Sequence, residues 1–81
     1  MKARVTVSFK KSILDPQGQT IRAALNGHGH PEITDVRQGK VFEISFAEGT
    51  SAARARIDLE EIARDILANP VIEDYRVEWT D

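Results

Sequence analysis

The stretch Leu67–Glu78, Leu-Ala-Asn-Pro-Val-Ile-Glu-Asp-Tyr-Arg-Val-Glu, constrains the fold most, because it holds an enforced helix stop followed at once by a strand. Asn69 precedes Pro70, and the proline ring pushes the residue before it out of the α region. A helix arriving from the N-terminal side must therefore end near Ala68. Beyond the break, Val71, Tyr75 and Val77 alternate with the polar Asp74, Arg76 and Glu78. That period of two predicts a closing strand over residues 71–79.

The remaining segments extend the same alternation of elements. Ala3, Val5, Val7 and Phe9 alternate with Arg4, Thr6, Ser8 and Lys10, which predicts a strand over residues 2–10 in a sheet covered on one side. Asp15 suits a helix N-cap and Pro16 the first helical position. Ile21, Ala24, Leu25 and His28 then give a narrow apolar stripe, ending near Gly27 or Gly29. Gly18, in the first turn, weakens this helix by about 1 kcal/mol relative to Ala. Residues 33–47 form a second extended region. Gly39-Lys40 within it suits either a bulge in one long strand or the turn of a short hairpin.

Thr50 or Ser51 can cap a second helix, whose stripe is Ala52, Ala55, Leu59, Ile62 and Ile66, widened by Ala63 and Leu67. Arg56, Glu60 and Arg64 alternate in sign four residues apart on its polar face. A competing alternation, Ala53, Ala55, Ile57 and Leu59, allows a hairpin over 41–57 instead. The longer helix fits more positions. The fold class expected is α+β, a two-layer sandwich in the order β-α-β(-β)-α-β. It has a ferredoxin-like outline, with two helices on one face of a small sheet and a single domain over residues 1–81.

Charge and composition exclude several function classes. Eleven basic residues stand against 13 acidic ones, with one Trp, one Tyr and three Phe. That is not the clustered basic surface of a nucleic-acid binder. No apolar run approaches the roughly 18 residues of a membrane span, and polar residues interrupt the N-terminal stretch as they would not in a signal peptide. A cytoplasmic protein is expected. The chain has no cysteine, which removes a Cys nucleophile, thiolate metal ligation and disulfides from its repertoire.

Candidate chemistry is sparse. His28 and His30 form a His-x-His pair that would need Glu32 or Asp35 to complete a metal site. Two exposed loop histidines is the simpler reading, and no metal ligand set is assigned. Gly39-Lys40 lacks the glycine six residues before the lysine and the Ser or Thr after it that a phosphate loop requires. Arg37 and Lys40 can meet an anion or an acidic partner at the Gly39 bend, or stand solvated. Glu73 and Asp74 are adjacent, so a strand points them to opposite faces, and with Arg76 they suit surface pairing. Trp79 suits either a cap on the core or a subunit contact. No catalytic residue is expected.

Three segments carry a family resemblance: Leu14-Asp15-Pro16-Gln17-Gly18, Val36-Arg37-Gln38-Gly39-Lys40, and Leu67-Ala68-Asn69-Pro70-Val71-Ile72-Glu73-Asp74-Tyr75. In order, spacing and overall length the chain resembles the PurS family, the small subunit of phosphoribosylformylglycinamidine synthase. It departs from that pattern at Gly27-His28-Gly29-His30-Pro31 and in a slightly long loop at Glu48–Ser51.

The resemblance implies a non-catalytic assembly subunit of de novo purine biosynthesis, acting as a homodimer or dimer of dimers. Its partners would be a large synthetase subunit and a glutaminase subunit, in a complex that uses ATP, magnesium and glutamine. Arg37, Gly39, Lys40, Asn69, Pro70 and Tyr75 are the interface candidates. A free-standing ligand-binding regulatory domain of the same outline is the alternative.

Overall fold

A computed structural model describes residues 1–80 of the chain. Asp81, the last residue of the expected 1–81 domain, lies outside the described residues. The order is β1 (Lys2–Phe9), α1 (Pro16–Gly27), β2 (Gly39–Ser45), α2 (Ala52–Ile62), a single π turn (Ala63–Leu67) and β3 (Glu73–Trp79). The strands form one antiparallel sheet in the order β2-β1-β3. This is the expected α+β class. Residues 33–38 have no regular structure, so the extended region holds one strand beginning at Gly39 and no hairpin.

Register explains the core. Val5 lies between Phe42 and Val77, Val7 between Lys40 and Tyr75, and Ala3 between Ile44 and Trp79. These residues share one face of the pleat. Arg4, Thr6 and Ser8 occupy the other with Glu43, Arg76 and Glu78. On the apolar face, Leu59, Ala63 and Ala68 pack onto Ala3, Val5 and Val7, and Leu59, Val5 and Val7 are fully buried. Phe42, Ile44, Phe46, Leu67, Tyr75, Val77 and Trp79 surround that centre, half-buried. Of the two helices expected over one face, α2 supplies the core, whereas no residue of α1 belongs to it.

The π turn corrects the expected helical stripe. Ala68 donates to the Ala63 carbonyl at 2.9 Å, a bond spanning five residues rather than four. The wider turn rotates Leu67 and Ala68 toward the sheet and turns Ile66 outward, where it is 74% exposed. The helix thus ends at the Asn69-Pro70 break as expected, with Ile66 facing solvent and Leu67 against the core.

Two further pairings differ from expectation. Arg54 pairs with Asp58 at 3.3 Å, while Arg56 lies over the Trp79 ring, 5.1 Å from its centroid. Trp79 stacks on Phe46 at 5.9 Å, so it caps the core.

The molecule is extended for its length. Its Cα radius of gyration is 16.4 Å, against about 12 Å for a compact chain of this size, and it measures 52 × 26 × 14 Å. The excess length follows from α1 standing clear of the core. Leu59→Ala should destabilise the chain by about 2–5 kcal/mol in urea unfolding, because Leu59 is the one large side chain that α2 buries completely.

Candidate functional site

The three sequence motifs meet at one end of the sheet, where β1 finishes and β2 and β3 begin. Asp15 joins the first to the second. It is 3% exposed, and its Oδ1 accepts from the Gly18 amide at 2.9 Å as the N-cap of α1. Its Oδ2 accepts from the Gln38 amide at 2.7 Å. These two amides, Gln38 first, and the nearby Arg37 charge hold its carboxyl below the ordinary value of 3.8, against the opposing effect of burial.

The glycines around Asp15 are required by close approach. A Cβ on Gly18 would collide with the Val36 carbonyl oxygen, and one on Gly39 would lie 2.7 Å from the Val7 carbonyl oxygen. Gly18, costly in a first helical turn, is therefore explained by contact. Arg37 closes the arrangement from outside. Its Nη1 donates to the Ile13 carbonyl at 2.8 Å and its Nη2 to the Lys11 carbonyl at 3.0 Å, while Asp35 lies 3.6 Å from its Nε. Arg37 thus fastens the β1–α1 loop; it is not the solvated half of a pair with Lys40.

The third motif is a self-braced turn. Asn69 Oδ1 accepts from the Val71 amide at 3.1 Å, and the Asn69 carbonyl accepts from the amides of Ile72 and Glu73 at 3.1 and 2.7 Å. The Asn69 amide donates to Glu73 Oε1 at 2.7 Å. Pro70 sits within this turn. The Lys10 amide donates to the Ile72 carbonyl at 2.9 Å, and Lys10 Nζ meets Asp74 Oδ1 at 3.0 Å, tying the turn to the end of β1. Asp74 therefore pairs with Lys10 and Glu73 accepts from the Asn69 amide, while Arg76 pairs with Glu78 at 3.0 Å rather than with Glu73 or Asp74. Tyr75 donates its hydroxyl to Glu60 Oε2 at 3.1 Å, a bond that, with burial, raises the phenol above its ordinary value.

Between the motifs lies a shallow cleft of about 120 Å³, lined by Ser8, Gln17, Gln38, Gly39, Lys40 and Glu73. Lys40 is exposed at its rim. Of the six interface candidates, Arg37, Gly39, Lys40, Asn69 and Pro70 gather around this end, while Tyr75 points toward α2 through Glu60. His30 Nδ1 lies 3.4 Å from Glu32, and no cluster of three potential metal ligands occurs among the described residues.

Sequence reasoning read Asp15 as a cap and missed its second bond to Gln38. The unfavourable glycine at position 18, and a second glycine beside Arg37, were the signals that two segments approach closely.

Comparisons with known proteins show the family and the fold. The family model described as PurS, phosphoribosylformylglycinamidine (FGAM) synthase, matches residues 2–81. The chain belongs to the PurS family. The PurS subunit of the Mycobacterium leprae synthase is 45% identical over 94% of this chain and 91% of its own length. A solved B. subtilis PurS structure superposes with a TM-score of 0.84 at 42% identity, covering 95% of this chain and 94% of the other. A chain in the structure of PurLQS from Thermotoga maritima has a TM-score of 0.80 at 26% identity, over 95% of this chain and 93% of that one.

Two outcomes test the motif junction. Gly18→Ala should cost about 1–3 kcal/mol in urea unfolding through overpacking, where helix propensity alone would favour alanine by about 1 kcal/mol. Because the native Asp15 carboxyl is lowered, its contribution to stability is fully present above 3.8 and is lost as pH falls below that value. The gap in urea midpoint between wild type and Asp15→Asn should therefore hold from pH 7 to about 4 and close on further acidification. A gap independent of pH would contradict the role given to the charge.

Proposed function

We propose that the chain is the small, non-catalytic assembly subunit of phosphoribosylformylglycinamidine synthase, holding the synthetase and glutaminase subunits together in de novo purine biosynthesis. The observation that carries this reading is its near-full-length similarity to a chain of the solved PurLQS structure. The chemistry of the chain is consistent with it. Without cysteine or a phosphate loop, the chain lacks the usual means for glutamine hydrolysis or ATP activation. ATP, magnesium and glutamine would then be handled by the partner subunits. The setting is the cytoplasm; no described helix is long and apolar enough to cross a membrane.

The partner-facing surface is assigned to the Asn69-Pro70 turn and its flanks. Val71 is 78% exposed and Ile66 74% exposed on either side of a turn held by its own hydrogen bonds and by Lys10. Exposed apolar side chains on a rigid support bind at low ordering cost. Lys40, at the cleft rim on the same end, adds a positive charge. The subunit is further assigned a homodimer or a dimer of dimers, consistent with so few large residues in its core.

Mixing the chain with the synthetase and glutaminase subunits should give a complex that turns over glutamine, and activity equally high without the chain would defeat the proposal. Val71→Asp should leave the far-ultraviolet circular dichroism of the isolated chain unchanged while lowering its affinity for the partners about tenfold or more.

A further inference from the structure

The cleft between the three motifs has a chemistry that the assembly role does not use. Its floor is apolar, with half-buried Phe9 in front of fully buried Val7 at the end of β1. Its two charged residues, Lys40 and Glu73, have opposite signs and come from the strands on either side of β1. Lys40 lies across from Val7 and Glu73 across from Phe9, so all four side chains occupy one face of the sheet.

The two charges do not neutralise each other. With β1 between them, the backbones of β2 and β3 run about 10 Å apart. Lys40 forms no ion pair among the described residues. Glu73 is half-buried, and its Oε1 is fixed by the Asn69 amide at 2.7 Å. The braced turn therefore aims this carboxylate, and Oε2 accepts no hydrogen bond among the described residues. The Ser8 hydroxyl and the side-chain amides of Gln17 and Gln38, which also line the cleft, are likewise without partners there. An apolar floor with a few convergent polar groups is the usual make-up of a small-molecule site. At about 120 Å³ the cleft lies well below the roughly 300–1,000 Å³ of sites for drug-sized ligands, which limits the occupant to the size of an amino acid.

We propose that this cleft binds a free α-amino acid, with its carboxylate at Lys40, its ammonium at Glu73 and its side chain over Phe9. A simple anion would meet Lys40 but be opposed by Glu73, and a simple cation would face the reverse. A zwitterion satisfies both at once, and the flexible Lys40 stem lets the ammonium close on a small ligand. The Gln17 and Gln38 amides and the Ser8 hydroxyl are left to pair with the remaining polar atoms of the ligand. This site goes beyond the assembly role and does not depend on it.

The test uses the whole chain at pH 7 and three probes that differ only in charge. They are L-norvaline, pentanoate, which lacks the ammonium, and butylamine, which lacks the carboxylate. Nitrogen–proton NMR should show norvaline shifting the amides of Gln38, Gly39, Lys40 and Glu73 saturably, with Kd about 1 mM, the scale a ligand of so few atoms reaches. Pentanoate and butylamine should bind at least about tenfold more weakly.

Lys40→Met should abolish the advantage of norvaline over butylamine, and Glu73→Gln its advantage over pentanoate. The same spectra verify that each variant is folded, and either variant alone decides the matter. Norvaline binding no more tightly than the singly charged probes overturns the site. So does an advantage that survives the substitution, or a set of shifts that lies away from the cleft. Activity of the complex with its partner subunits is not part of the readout, so a failure here leaves the assembly role standing.

Discussion

The Asp15 carboxylate decides where the first helix goes. With one oxygen on the Gly18 amide and the other on the Gln38 amide, it caps α1 and fixes the entrance to β2 at once. Both bonds come from backbone N–H groups to an ionised acceptor in a nearly closed site, the kind of hydrogen bond that contributes more than a neutral one. Arg37 adds two bonds to the carbonyls of the preceding loop. The result is a rigid base from which α1 departs without folding back over its own sheet. The chain is accordingly 52 Å long, and α1 buries only Gly18.

A small core is the counterpart of that geometry. Leu59, Val5 and Val7 are the only large side chains among the described residues with essentially no exposure, and the rest of the buried set is alanine, Gly18 and Asp15. Alanines at 3, 55, 63 and 68 let α2 and the π turn approach the sheet closely, at the expense of apolar area. A domain built this way gains most from partners, which fits a subunit of a larger synthase. The Asn69-Pro70 turn contributes in another manner. It holds Val71 exposed on a support fixed by five hydrogen bonds around Asn69 and Lys10, so that surface is organised before any partner arrives.

Much of this was legible in the residues. The alternations in β1 and β3, the Asp15-Pro16 helix start and the proline-enforced stop rest on local rules of backbone sterics and periodicity, and they stand where those rules put them, except that β3 begins at Glu73 because the Asn69 turn takes up Val71 and Ile72. Local rules failed at Ile66, because a five-residue hydrogen bond at Ala68 shifts the helical phase by an amount no spacing of apolar residues reveals. They failed again at Arg56, where an aromatic ring 23 positions away outcompetes an acidic neighbour on the same helix. The interface candidates were found through family resemblance, and the structure supplied what they touch.

The sequence by itself determined the first and last strands, the start of α1, the proline-enforced helix stop, the α+β class and the absence of cysteine chemistry, since all depend on residues near one another in the chain or on composition. Only the tertiary structure decided that three separate motifs share one end of the sheet, that Arg37 fastens a loop through carbonyls more than 20 residues away, and that α2 and the π turn after it, without α1, cover the core. Those outcomes depend on which backbone amides and carbonyls come within hydrogen-bonding distance after the sheet forms. Hydrophobic periodicity carries no record of that distance.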